Sequence, residues 1–142
     1  MTINTLVSAA ALAASMAIIP AAAGAQNENL VRETITPAFA DALPNVPGKT
    51  ISAIVVDYPP GAKSIPHRHG QAFVVGYVLQ GQIRSQLGNG ASRVYNAGEH
   101  WTEAPGVHHT VSENVSASAP AKLLAIFVAD TKDKNLVIWD KK

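Results

Sequence analysis

The sequence predicts an all-β domain built as a sandwich or small barrel, and three observations support this prediction. The chain has 142 residues, of which 47% are apolar and 15% are charged, as expected for one globular domain. Its apolar residues fall in β-branched runs of strand length. Glycine, proline and asparagine interrupt these runs roughly every ten residues, which is typical of a sandwich or barrel.

The N-terminal 25 residues differ in composition from the rest of the chain. They contain no Asp, Glu, Lys or Arg, and residues 6–19 form an alanine-rich apolar run. Small residues follow at Ala23 and Ala25, the positions that a signal peptidase reads. We therefore expect a signal peptide cleaved between Ala25 and Gln26, and a periplasmic or extracellular protein. The alternative is a membrane helix, but Pro20 interrupts the run, so we expect no membrane association of the mature chain.

Residues 26–49 have mixed character and are predicted to form an N-terminal arm. Residues 30–42 suit a short helix broken by Pro37, and Pro44 and Pro47 end it. The arm leads into a single domain over residues 50–142.

From residue 50 onward, the pattern predicts eight short strands separated by turns. Residues 83–87 alternate apolar and polar side chains, which is the period of a half-buried strand. Gly88, Asn89 and Gly90 then give a hairpin-turn signal. The predicted strands cover residues 51–58, 72–79, 83–87, 92–95, 101–104, 107–111, 123–128 and 136–139.

Charge and cysteine content narrow the possible partners and ligands. The net charge is +1 and no run of like charges occurs, which argues against a nucleic-acid partner. The chain has no cysteine, so it forms no disulfide and offers no thiolate. Any metal ion must therefore be bound through nitrogen and oxygen.

All five histidines lie between positions 67 and 109. His67 and His69 are two residues apart, so both side chains point to the same face of a strand. His109, on a later strand, can complete a three-nitrogen set that leaves metal positions open. His108 must then point outward, and His100 follows a turn and is expected at the surface. The alternative is a group of ordinary surface histidines.

The first histidine pair lies in a segment that resembles the first motif of the cupin family. That motif has a glycine, five residues, His-x-His, a glutamate and a closing glycine. Gly61, His67, His69 and Gly81 occupy the matching positions.

A second segment resembles the second cupin motif. Gly98, Gly106 and His109 match it, although Ala104 stands where the motif has proline. The motif's asparagine comes one residue late, at Asn114. The resemblance extends over residues 51–128.

This resemblance implies a jelly-roll barrel, or double-stranded β-helix, with one divalent ion of Fe, Mn, Ni or Zn. It carries His67, His69 and His109 over as metal ligands. It also implies a small-molecule ligand or substrate and a homodimer, because small cupins often pair through the outer sheet and an N-terminal arm.

One position departs from the cupin pattern. Val74 occupies the position of the family glutamate, and it cannot bind a metal ion. Gln71 continues the alternation from His69 and is one candidate to replace the missing ligand. Glu103 is another, as a fourth ligand, a catalytic general base or a hydrogen-bond acceptor from a ligand imidazole. The alternative for Glu103 is a solvated carboxylate at a strand end.

These features lead to three hypotheses for function. The first is a secreted mononuclear metalloprotein that oxygenates or isomerises a small oxygen-rich molecule. The second is a non-enzymatic module that binds a metal or a small ligand, and the third is a structural barrel without a metal.

Overall fold

The computed structural model describes residues 31–141, which form two antiparallel five-stranded sheets that face each other. The strand order is β1-β2-β9-β4-β7 in the first sheet and β10-β3-β8-β5-β6 in the second. The strands are β1 Thr34–Ala42, β2 Lys49–Tyr58, β3 His67–Arg68, β4 Phe73–Gln80, β5 Gln82–Leu87, β6 Arg93–Asn96, β7 His100–Glu103, β8 His108–Asn114, β9 Ala121–Asp130 and β10 Ile138–Trp139.

Strand β9 shows how the sequence specifies the core. It pairs with β2 on one side and with β4 on the other, in the centre of the first sheet. Its residues Ala121, Leu123, Ala125, Phe127 and Ala129 are buried, and the residues between them are more exposed. Because side chains alternate across a strand, this pattern turns one apolar face toward the second sheet. The core therefore lies between the two sheets.

The structure confirms the all-β, jelly-roll prediction. Each of the eight predicted strands overlaps an observed strand, and the described residues contain no α-helix. Over residues 31–141, no helix is long and apolar enough to cross a membrane. The predicted signal peptide and its cleavage site lie outside the described residues.

The helix predicted over residues 30–42 is wrong, because Thr34–Ala42 forms strand β1. Thr34, Ile35 and Thr36 form a β-branched run that favours an extended backbone. The strand pairs with β2 at the edge of the first sheet, and its register shifts just after Pro37. An edge strand tolerates proline there because its missing N–H is not needed by a second neighbour.

A β-bulge in β8 determines which of its side chains enter the core. Leu87 and Gln86 are adjacent in β5 and pair with His109 and Val111 of β8. Thr110 is therefore an extra residue in β8. His109 and Ser112 are both buried although they are three residues apart. The bulge therefore places one histidine and one serine on the same inner face.

Candidate metal centre

Three buried histidines meet between the two sheets. His67 and His69 are 6% and 7% exposed, while Arg68 between them is exposed, as a strand alternation requires. Strand β3 pairs with β8 in a register that places His67 directly opposite His109. One ligand nitrogen from each of the three rings lies within 4.8 Å of the other two. The rings are therefore close enough for a single ion to contact all three.

Backbone carbonyls orient two of these rings. The Nδ1 of His67 lies 2.7 Å from the Ile65 carbonyl oxygen, and the Nδ1 of His69 lies 2.6 Å from that of Leu136. Since a carbonyl oxygen only accepts, each Nδ1 carries the proton and donates it. This leaves the Nε2 lone pair of both rings available for a metal ion, the usual arrangement of a metal-binding histidine.

Glu103 supplies a carboxylate beside the histidines. In the pairing of β4 with β7, Glu103 is the direct partner of Val74, so both side chains project from the same face of the sheet. Its Oε1 lies 3.2 Å from Nδ1 of His109, and its Oε2 lies 3.5 Å from Nε2 of His69. The carboxylate that is missing at Val74 thus reaches the site from the neighbouring strand. We call His67, His69, His109 and Glu103 the histidine cluster.

The two oxygens of Glu103 have different surroundings. Oε1 accepts a hydrogen bond of 3.0 Å from the indole Nε1 of Trp101. Oε2 is buried and has no hydrogen-bond partner among the described residues. A buried carboxylate oxygen without a donor is costly unless a cation or a ligand completes its contacts. The pairing of this oxygen with the Nε2 of His69 suits a divalent ion between them.

Gly76 makes the position of Trp101 possible. A Cβ added to Gly76 would lie 2.5 Å from Cζ2 of Trp101, well inside contact distance. The indole packs directly on the glycine backbone, and this packing directs its N–H toward Glu103. Gly76 therefore contributes to the site only by leaving room for the indole of Trp101.

The His109 ring contacts a polar group at each nitrogen. Its Nε2 lies 2.9 Å from the hydroxyl oxygen of Ser85, and its Nδ1 faces Glu103. The ring is 3% exposed and packs 5.9 Å from the Trp101 ring, centroid to centroid. His109 is thus the most enclosed of the three histidines.

Burial keeps the cluster largely uncharged. Desolvation lowers the pKa of His69 to about 4 and that of His109 to about 3, and it also lowers the pKa of His67. Desolvation raises the pKa of Glu103 to about 7, although the hydrogen bond from Trp101 acts to lower this pKa. Without a metal, the contacts of Glu103 with the histidines therefore join mainly neutral groups and are not strong ion pairs. Neutral imidazole is the form that binds metal ions.

The histidine cluster lines a narrow cavity of about 30 Å³. This volume holds roughly two water molecules. In the same cavity, the hydroxyl of Tyr58 lies 2.8 Å from those of both Ser64 and Ser112, and all three residues line the cavity. We call Tyr58, Ser64 and Ser112 the hydroxyl cluster.

The other predicted residues lie away from the cluster. Gln71 is exposed on a turn and does not line the cavity, because Gly70 adopts a positive φ of 57° and ends the strand alternation. His100 is exposed. The ring of His108 faces outward, where its Nε2 lies 2.8 Å from Oδ2 of Asp140.

The sequence interpretation missed one side of the cavity. Glu33, directly before β1, lines it together with the hydroxyl cluster. These residues follow no motif and lie far apart in the sequence, so only the fold shows that they meet. Trp139 was predicted only as part of a strand, yet its ring lies 5.0 Å from the His67 ring.

Comparisons with known proteins show the family and the fold. Residues 54–127 match the family model described as the cupin domain. No curated protein sequence matches the chain.

Several solved structures share the fold. A conserved protein with a double-stranded β-helix domain from Klebsiella pneumoniae has a TM-score of 0.61 at 16% identity, over 78% of this chain and 86% of its own. A recombinant oxalate oxidase in complex with glycolate has a TM-score of 0.60 at 22% identity, over 77% of this chain and 55% of its own. The DMSP lyase DddQ from Ruegeria pomeroyi has a TM-score of 0.51 at 22% identity, over 58% and 40%.

Proposed function

The chain belongs to the cupin family, and we propose that it is a mononuclear metal-dependent enzyme acting on a small oxygen-rich molecule. The observation that supports this most directly is the buried, unpaired Oε2 of Glu103, 3.5 Å from the Nε2 of His69. An oxygen and a nitrogen that both lack a donor, in a cavity lined by two further histidines, form a site for a cation.

In this proposal His67, His69 and His109 hold the ion, and Glu103 contributes the carboxylate that the family motif places at position 74. The donor set of nitrogen and oxygen suits Fe(II), Mn(II), Ni(II) or Zn(II). When bound, such an ion supplies a Lewis acid that stabilises an enolate or activates dioxygen. Gln71 is left out of the ligand set because it is exposed and does not line the cavity.

The residues around the ion have separate tasks. The Ile65 and Leu136 carbonyls hold the rings of His67 and His69 in one tautomer. The indole N–H of Trp101 orients Glu103, whose raised pKa of about 7 lets Oε2 hold or release a proton near neutral pH. The reaction class is oxygenation or isomerisation, and the similar oxalate oxidase fold supports a small oxygen-rich substrate.

The alternative is a binding module that holds a metal or small ligand without turnover. The narrow interior of the cavity favours this alternative, because about 30 Å³ admits a substrate beside an ion only if part of the substrate extends to the open side, where Ile35 and Trp139 are 40% and 39% exposed. Metal content together with turnover separates the two candidates.

We also propose export and self-association. The uncharged residues 1–25 support cleavage before Gln26 and a periplasmic or extracellular location. Phe73, Tyr77 and Leu79 are 38–43% exposed on the outward face of β4, and an apolar sheet face of this kind supports a homodimer. The mass of the mature chain from the native host tests export, and analytical ultracentrifugation tests the dimer.

The central experiment measures metal content and turnover on the same purified protein. We expect about one divalent ion per chain, with oxygen uptake or isomerisation on a panel of diols, hydroxy acids and keto acids. Glu103→Gln should lower both. Glu113→Gln is the matched control, since Glu113 contacts Lys63 and Arg84 outside the cavity. Metal without turnover supports the binding module. Protein that takes up no metal contradicts the enzyme and leaves only a module that binds a small ligand.

A further inference from the structure

The N-terminal strand brings a second carboxylate to the cavity. Thr34, the first residue of β1, pairs with Asp57, so the preceding residue Glu33 lies beside Tyr58. The backbone just before it is fixed too, because the Lys63 N–H donates to the Val31 carbonyl oxygen over 3.1 Å. Glu33 is therefore held at the cavity by hydrogen bonds on both sides.

Glu33 is half-buried, and one oxygen of its carboxylate is buried without a partner. Its Oε2 has no hydrogen bond to any described residue, and the side chain lines the same cavity as the histidine cluster. Among residues 31–141, the carboxylates within 4.0 Å of a histidine nitrogen belong to Glu103 and Asp140. Glu33 thus faces the cavity from outside the ligand set.

The hydroxyl cluster lines the same cavity as this carboxylate. The Tyr58 hydroxyl has one proton, so it donates to at most one of the two serines and accepts from at least one of them. Burial raises the pKa of Tyr58 to about 12, and the charge of Glu33 adds to this effect. The tyrosine is therefore a neutral hydrogen-bonding group, and one side of the cavity offers hydroxyls together with an unpaired acceptor.

We propose that Glu33 and the hydroxyl cluster form a second subsite, which accepts a hydroxyl or ammonium group at the end of a ligand whose other end lies at the histidine cluster. The inference rests on the proposed function, because it takes the histidine cluster as the place where the ligand's oxygen atoms bind. A carboxylate acceptor binds hydrogen-bond donors and repels anions. The site should therefore select hydroxy acids over dicarboxylates of the same length.

The test compares two ligands of equal length, 3-hydroxypropionate and malonate, on metal-loaded protein. Their dissociation constants are measured by calorimetry for the wild type, Glu33→Gln and Asp57→Asn. Asp57→Asn removes one carboxylate from the adjacent position of β2, where Asp57 forms an exposed pair with Lys122. Comparing the ratio of the two constants between the variant and the wild type cancels the stronger chelation of metal by malonate.

We expect Glu33→Gln to shift this ratio about tenfold toward malonate, with metal content unchanged, and Asp57→Asn to leave the ratio within about twofold. An unchanged ratio in Glu33→Gln overturns the subsite. Metal loss in Glu33→Gln as large as in His67→Ala also overturns it, because Glu33 would then be a metal ligand. If the wild type takes up no metal, the proposed function fails. Ligand-observed NMR on the metal-free protein then measures the same ratio, and the same shift or its absence decides the subsite.

Discussion

The two sides of the cavity differ in how the sequence encodes them. On one side, His67 and His69 share a strand face and His109 lies opposite His67, so a local spacing and one strand pairing assemble the nitrogens. On the other side, Glu33 and Tyr58 come from two paired strands and no motif connects them. The first side is suited to a cation and the second to a hydrogen-bond donor. Local spacing therefore predicted the histidine cluster, whereas the contacts around Glu33 and Tyr58 are created only by the fold.

The largest expected effect comes from removing a ligand imidazole. His67→Ala and His109→Ala should each weaken metal binding by at least about a hundredfold, since each removes a direct ligand and not merely its hydrogen-bond partner. Metal content after dialysis and competition with a chelator measure this loss. His100→Ala is the control because His100 is exposed. Full metal occupancy in both His67→Ala and His109→Ala would contradict the proposal that the histidine cluster binds the metal ion.

The next effect concerns pH and the metal-free protein. The folded-state pKa of His69 is about 4 and that of His109 about 3, both below the ordinary value of 6.5. As pH falls below 6.5, the unfolded chain binds more protons than the folded protein. The stability that comes from burying the two neutral histidines is therefore complete above pH 6.5 and is lost toward pH 4 and below. Glu103 acts in the opposite direction. Its pKa is raised from 4.5 to about 7, so its contribution is complete below 4.5 and is lost as pH rises through 7.

The histidines outnumber the carboxyl group, so the net change on acidification is destabilising. Between pH 6.5 and 4.5 we expect a loss of roughly 3 kcal/mol in the free energy of unfolding. Urea titrations of the metal-free protein across this range measure it. Glu103→Gln should steepen the loss because it removes the opposing group, and His109→Asn should make the loss shallower. The same slope in both variants would contradict the assignment.

The sequence predicted the histidine cluster better than its carboxylate, for a physical reason. The spacing of His67 and His69 determines their shared face wherever the strand lies. The position of Glu103 beside Val74 instead depends on the register of β7 against β4, which no local pattern specifies. Gln71 lies outside the cavity lining for a related reason, because the positive φ of Gly70 interrupts the alternation on which its prediction depended.

The bulge in β8 also explains the late asparagine. The extra residue reverses the alternation, so Asn114 points inward and Glu113 outward. The amide of Asn114 donates to the backbone carbonyl oxygens of Tyr58, Pro59 and Ala119, and it fixes the loop after β8. The one-residue delay in the sequence is therefore a structural adjustment and not a lost function.

A smaller effect tests how packing supports the ion side. Gly76→Ala should cost about 2 kcal/mol of stability, because the new methyl group overlaps the indole of Trp101. It should also weaken metal binding, since the displaced indole no longer donates to Glu103. Thermal unfolding and chelator competition measure the two effects. Adding Trp101→Phe to Gly76→Ala should recover part of the stability but not the metal affinity, because phenylalanine has no donor. A double variant that recovers both would show that the indole hydrogen bond is dispensable.

The smallest effect compares two serines that are equally buried, at 4% exposure, on the inner face of the second sheet. Ser85 contacts Nε2 of His109, whereas Ser112 contacts the Tyr58 hydroxyl. Ser85→Ala should weaken metal binding about tenfold, because the ligand ring loses the group that orients it. Ser112→Ala should leave metal affinity unchanged and lower stability by about 1 kcal/mol, the cost of one buried hydrogen bond. Chelator competition and urea titration of both variants give the four values. If the two serines weakened metal binding equally, the hydroxyl cluster would belong to the ion site, and the cavity would have one function where we infer two.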